Sequence, residues 1–96
     1  AQRLKPDEVR PSMELASLFF RQDRVEEGMA EIRRALVAEP GHPLALSILT
    51  RHAIETGDEA QARHSLSQLR SLHRLPPEDL ATLAGNYRSR FRRDPW

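Results

Sequence analysis

The chain has 96 residues, of which 39% are hydrophobic and 30% charged, so it can bury one small core and not several. The absence of cysteine excludes disulfides and thiolate zinc sites. A membrane span needs about 18 consecutive apolar residues, and no apolar run in the sequence approaches that length. The formal net charge of +1 is uneven, because residues 88–96 hold four arginines and one aspartate and leave −2 on residues 1–87.

Apolar residues recur at steps of three and four, as at Met29, Ile32 and Leu36, and no stretch alternates as a strand would. This pattern predicts an all-α fold with a short N-terminal arm at residues 1–8. The five predicted helices lie at residues 11–22, 25–38, 43–56, 58–73 and 77–92. Proline near three of the starts, at Pro11, Pro43 and Pro77, fits the first turn of a helix, and Gly41 is expected to allow a left-handed turn after the second helix.

An internal period of 34 residues relates the predicted helices to one another. At this spacing Pro43 aligns with Pro77, and Gly28 aligns with Ala62. The other aligned positions are Leu15, Leu49 and Leu83, then Ala16, Thr50 and Ala84, then Phe19, Ala53 and Tyr87, and finally Ile32 and Leu66. Several matches at one period indicate repeat units, each of which covers the apolar face of the next.

The repeated unit resembles the tetratricopeptide repeat, a helix-turn-helix family. Residues 9–42 carry its pattern as Leu15, Ala16, Phe19, Gly28, Ile32, Ala35 and Pro40. Residues 43–76 carry Leu49, Gly57, Asp58, Ala62 and Leu66, and depart from it at Thr50, Ala53, Leu69 and Arg74. Residues 77–92 form a half repeat or capping helix with Leu80, Leu83, Ala84 and Tyr87. The resemblance implies one domain over residues 1–96, built as a right-handed α-α superhelix of about two and a half repeats.

The sequence does not indicate catalysis. The four histidines never pair at a metal-ligand spacing on one helix, and neither a glycine-rich phosphate loop nor a nucleophile with a nearby base stands out. We therefore expect a protein that is not an enzyme and that uses no cofactor and no metal. We expect His42 in a turn, and His52, His64 and His73 on partly exposed helix faces.

The resemblance instead implies a concave groove, lined by the first helix of each repeat, that binds a partner protein or peptide. The groove positions considered most able to bind are Met13, Ser17, Phe20, Arg21, Ser47, Arg51, Ile54 and Arg88. Of the positions at which chaperone-binding members grip a terminal carboxylate, only Arg51 is suitable, so that function is not favoured. The resemblance and the arginine-rich composition together suggest a bacterial adaptor or scaffold, such as those that assemble envelope or secretion machinery.

Three other possibilities stay open at the level of sequence. The basic stretch at residues 86–93 interleaves arginines with aromatics, which could bind nucleic acid or an anionic surface, although its aromatics are needed in the core. The short array could also associate with itself by end-to-end stacking. Because Ala1 rather than methionine comes first, we expect a processed or excised part of a longer protein, and membrane contact only through segments outside this chain. The compartment, cytoplasm or periplasm, is left undecided.

Overall fold

The computed structural model describes residues 9–96, so the predicted arm at residues 1–8 lies outside the described residues. Within the described range there are five α-helices and no strand, which confirms the predicted all-α class. The helices are α1 (Val9–Arg21), α2 (Val25–Ala38), α3 (Pro43–Thr56), α4 (Glu59–Leu72) and α5 (Pro77–Phe91). None of the helices in residues 9–96 combines the length and apolarity needed to cross a bilayer.

Proline and side-chain caps define most of the helix starts. Pro43 and Pro77 are the first residues of α3 and α5, where the missing proline N–H leaves no intrahelical bond unmade. Helix α1 already includes Val9, the first described residue, which lies two residues before the predicted start at residue 11. The Ala45 N–H donates to His42 Nδ1 at 3.1 Å, and the Gln61 N–H donates to Asp58 Oδ1 at 3.2 Å.

The helix ends correct one prediction. Helix α2 does not end in a left-handed turn at Gly41. It ends instead at Glu39, which is extended with φ −139° and donates its N–H to the Ala35 carbonyl. The glycine with a positive φ is Gly57, at 82° between α3 and α4, a conformation that glycine adopts without a steric penalty. Helices α4 and α5 end at left-handed His73 and Arg92.

The chain divides into two compact units, one that ends at Ala45 and one that runs from Leu46 to Trp96. This division lies three residues beyond the predicted boundary between the first two repeats, inside α3.

In the first unit α1 packs against α2. The small residue Ala16 is buried on α1, and Met29, Ile32 and Ala35 are buried at successive turns of α2. Gly28 provides room for an aromatic ring: a Cβ at this position would lie 2.5 Å from Phe20 Cε1 and 2.8 Å from Phe20 Cδ1. The Phe20 ring therefore packs directly on the α2 backbone.

In the second unit α4 packs against α5. Leu66 and Leu69 on α4, and Leu83 and Tyr87 on α5, recur at three- and four-residue steps and are all buried. This spacing places each pair on one face of its helix. The apolar faces of α4 and α5 therefore contribute to the core of this unit, as do the buried Leu46, Leu49 and Ala53 of α3.

Candidate functional site

The candidate groove residues of the first unit lie on α1. Met13 and Phe20 are half-buried, whereas Ser17 and Arg21 are exposed. Phe20 packs on Gly28, while the neighbouring Phe19 ring lies 4.9 Å from the Arg24 guanidinium carbon. Phe20 therefore packs within its own unit, and the binding role of all four residues stays a prediction.

In the second unit α3 and α5 flank an open cleft of about 570 Å³, which we call the α3–α5 cleft. Two of the predicted groove residues, Arg51 and Ile54, line this cleft. Its remaining lining residues are Glu55, Asn86, Ser89 and Arg90. Arg51 is exposed, but Ile54 is only 6% exposed, so the accessible chemistry of the cleft is mainly polar and charged.

The other two candidates of this unit do not line the α3–α5 cleft. Ser47 is 8% exposed. Arg88 is exposed and donates from Nε to Asp94 Oδ1. The α5 residues of the cleft are Asn86, Ser89 and Arg90 instead. They share one face of α5 at the spacing i, i+3, i+4, and this group of polar residues beside the buried Tyr87 is the signal by which they could have been found.

A second cleft, of about 590 Å³, lies along α4 and the C-terminal tail, and we call it the α4 cleft. Sequence reasoning did not identify it. It is lined by Glu59, Ala60, Arg63, His64, Ser67 and Arg93.

The Glu59 carboxylate organises the α4 cleft. The buried Tyr87 hydroxyl donates to Glu59 Oε2 at 2.6 Å, and the same oxygen lies 3.7 Å from Arg63 Nη2 and 3.5 Å from Arg93 Nε. Burial raises the pKa of the Tyr87 phenol, and the hydrogen bond to Glu59 raises it further. The phenol therefore stays a neutral donor, and the carboxylate is fixed between two guanidinium groups.

The arginine-rich end of the chain makes contacts within its own unit. Arg88 pairs with Asp94, Arg93 pairs with Glu59, and the Arg90 guanidinium carbon lies 5.7 Å from the Phe91 ring centroid. Beyond α5, Pro95 is buried and the Trp96 ring lies under the Arg70 guanidinium at 4.8 Å. These contacts favour a folded tail over an extended basic arm, and binding of nucleic acid or of an anionic surface stays a prediction.

The four histidines occupy separate positions along the chain. His42 is half-buried in the turn before α3, His52 is half-buried on α3, and His64 is exposed on α4. His73 is exposed, but it is the left-handed residue that ends α4 and not part of a helix face. Among residues 9–96 there is no group of three or more potential metal ligands.

Several large apolar side chains remain exposed. In the first unit they are Leu15, Leu18, Val25, Val37 and Leu44. The predicted end-to-end stacking of copies stays a prediction.

Comparison with known proteins adds no assignment: no family model, no curated protein and no solved structure matches this chain.

Proposed function

We propose that the chain is a tetratricopeptide-repeat-like, non-enzymatic interaction module that binds a segment of a partner protein in the α3–α5 cleft. In this proposal α1, α3 and α5 are the first helices of successive repeats, and α2 and α4 are the second helices. The residues proposed to contact the partner are Arg51, Glu55 and Arg90.

The helix bounds support the repeat. Helices α3 and α5 start at Pro43 and Pro77, 34 residues apart, and α2 and α4 start at Val25 and Glu59, again 34 residues apart. Positions that match the family pattern are also buried, among them Ala16, Ile32, Ala35, Leu49, Ala62, Leu66, Leu83, Ala84 and Tyr87. Leu15 departs from this behaviour, at 43% exposed.

The observation that carries the functional proposal is the chemistry of the α3–α5 cleft. Arg51 and Arg90 contribute two positive charges to the cleft, and Glu55 contributes one negative charge. Asn86 and Ser89 supply uncharged hydrogen-bond donors and acceptors. A cleft with this composition favours an extended segment that carries an acidic residue for the arginines and neutral polar groups around it.

A peptide selection tests the proposal. The intact chain would be used to select from a displayed library of random peptides, and the affinities of the selected peptides would be measured by calorimetry. We expect acidic residues to be enriched, and we expect Arg51→Glu to weaken binding by roughly tenfold or more, because it reverses a charge at the site. Arg10→Glu is the matched control, because Arg10 has a side chain that is 87% exposed on α1.

The proposal fails if no peptide is enriched, or if Arg51→Glu and Arg10→Glu bind the selected peptides equally well while both variants keep the helicity of the parent chain. Labelled duplex DNA would be titrated alongside. Tight, salt-dependent DNA binding without peptide enrichment would favour the basic C-terminal stretch as the functional surface instead.

A further inference from the structure

The α4 cleft contains two guanidinium groups that share one carboxylate. Arg63 Nη2 and Arg93 Nε lie 3.7 Å and 3.5 Å from Glu59 Oε2. Both distances exceed the 2.7–3.2 Å of an ordinary N–H···O hydrogen bond. Glu59 Oε2 already accepts the Tyr87 hydroxyl at 2.6 Å, so the carboxylate holds the two arginines near each other without using many of their donors.

The two arginines remain accessible within this cleft. The side chains of Arg63 and Arg93 are 51% and 64% exposed, against 31% for Glu59. Each guanidinium carries five N–H donors and no acceptor. The two arginines and the glutamate together carry a formal charge of +1. The arginine side chains are the more exposed groups of this cluster, so its accessible surface is positively charged.

Three more residues complete the lining of the α4 cleft. Ser67 supplies a hydroxyl and His64 an imidazole on the same helix face as Arg63, while Ala60 leaves space beside them. Planar guanidinium groups match the paired oxygens of carboxylates and phosphates. The geometry points to a ligand with a small oxyanion group.

We propose that the α4 cleft is an oxyanion-binding site in which Arg63 and Arg93 hold a carboxylate or phosphate group, beside the Glu59 carboxylate whose negative charge opposes the bound anion. This site is separate from the α3–α5 cleft and does not depend on the function proposed above. Occupancy would also draw the tail at Arg93 closer to α4.

Titration of the intact chain with sodium phosphate and, separately, with sodium acetate tests this site. Backbone amide and arginine Nε–H resonances would be followed by NMR at constant ionic strength, with sodium chloride as the reference salt. We expect saturable shifts at Arg63, Ser67 and Arg93. Saturation by phosphate alone identifies a phosphate ligand, and saturation by acetate identifies a carboxylate ligand.

Three variants separate a binding site from a structural ion-pair cluster. Arg63→Gln and Arg93→Gln should each weaken the anion about fourfold or more. Glu59→Gln keeps an acceptor for Tyr87 and removes the counter-charge, so it should tighten binding about fourfold, the effect in water of one unit charge at roughly 5 Å. Arg10→Gln on α1 should change nothing.

The site is refuted if both anions give only the linear shifts that chloride gives. It is also refuted if the affinity for the anion is the same in Glu59→Gln, Arg63→Gln and the parent chain. Circular dichroism of each variant would show that it is folded, so that a loss of binding reports on the site.

Discussion

Two glycines in helix interiors have opposite surroundings, and this difference gives a sharp test of the packing of the first unit. A Cβ at Gly28 on α2 would lie 2.5 Å from Phe20 Cε1, whereas a Cβ at Gly85 on α5 would have no neighbour within 4 Å. Because alanine favours helix over glycine by about 1 kcal/mol, Gly85→Ala should raise the free energy of unfolding by up to that amount.

Gly28→Ala should behave differently. Carbon atoms are in favourable contact at about 3.5–4.0 Å, so the Phe20 ring must move by about 1 Å or more to admit the new methyl group. Overpacking of this kind costs about 1–3 kcal/mol, which offsets or exceeds the gain in helix propensity. We expect Gly28→Ala to be about 1–3 kcal/mol less stable than Gly85→Ala.

Urea unfolding followed by circular dichroism would measure both variants, with unchanged m-values as the sign that only stability differs. In a Phe20→Leu background the ring is absent, so Gly28→Ala should become neutral or stabilising, with a coupling energy of about 0.5–3 kcal/mol between the two positions. Equal stabilisation by Gly28→Ala and Gly85→Ala in the parent chain, with no coupling to Phe20, would refute the packing of Phe20 on α2.

Three further predictions concern single side chains. Tyr87 is the one tyrosine of the chain and burial raises its pKa, so phenolate absorbance should develop above the usual value of about 10. The phenol loses its proton at a lower pH in the unfolded chain than in the folded one. The free energy of unfolding should therefore fall as pH rises from about 10 toward the native pKa. Tyr87→Phe, which has no phenol to titrate, should not show this fall. His42→Ala should cost about 1 kcal/mol in chemical unfolding because it removes the acceptor for the Ala45 N–H, whereas His42→Asn should cost less; equal losses would exclude the cap. His73→Gly should gain up to about 1 kcal/mol, because His73 has φ 54°; a lower melting temperature would contradict this.

Local signals made the helices predictable. Proline is tolerated at the start of a helix but not in its interior, and the starts predicted at Pro43 and Pro77 are those of α3 and α5. The three- and four-residue spacing of apolar side chains identifies the buried faces. A glycine near a helix end does not by itself predict the backbone conformation of the turn. Gly57 takes a left-handed conformation, whereas α2 ends at an extended Glu39 although Gly41 follows closely.

The clefts were harder to predict, because they depend on contacts between residues far apart in the chain. The hydrogen bond between Tyr87 and Glu59 spans 28 positions, and nothing local to either residue indicates it. Phe19 and Phe20 are adjacent and chemically equivalent, so the sequence alone did not indicate that Phe20 is the ring that packs on Gly28. Arg51 was identified as a groove residue, but its neighbours Asn86, Ser89 and Arg90 were not.

NMR mapping of a selected peptide on the isotope-labelled chain tests the central claim most directly, since it locates the binding surface without assuming it. The account predicts that amide shifts on peptide addition cluster around the α3–α5 cleft, at Arg51, Glu55, Asn86 and Ser89, and disappear in Arg51→Glu. Shifts that cluster instead on the exposed leucines of α1, or that persist in Arg51→Glu, would contradict it.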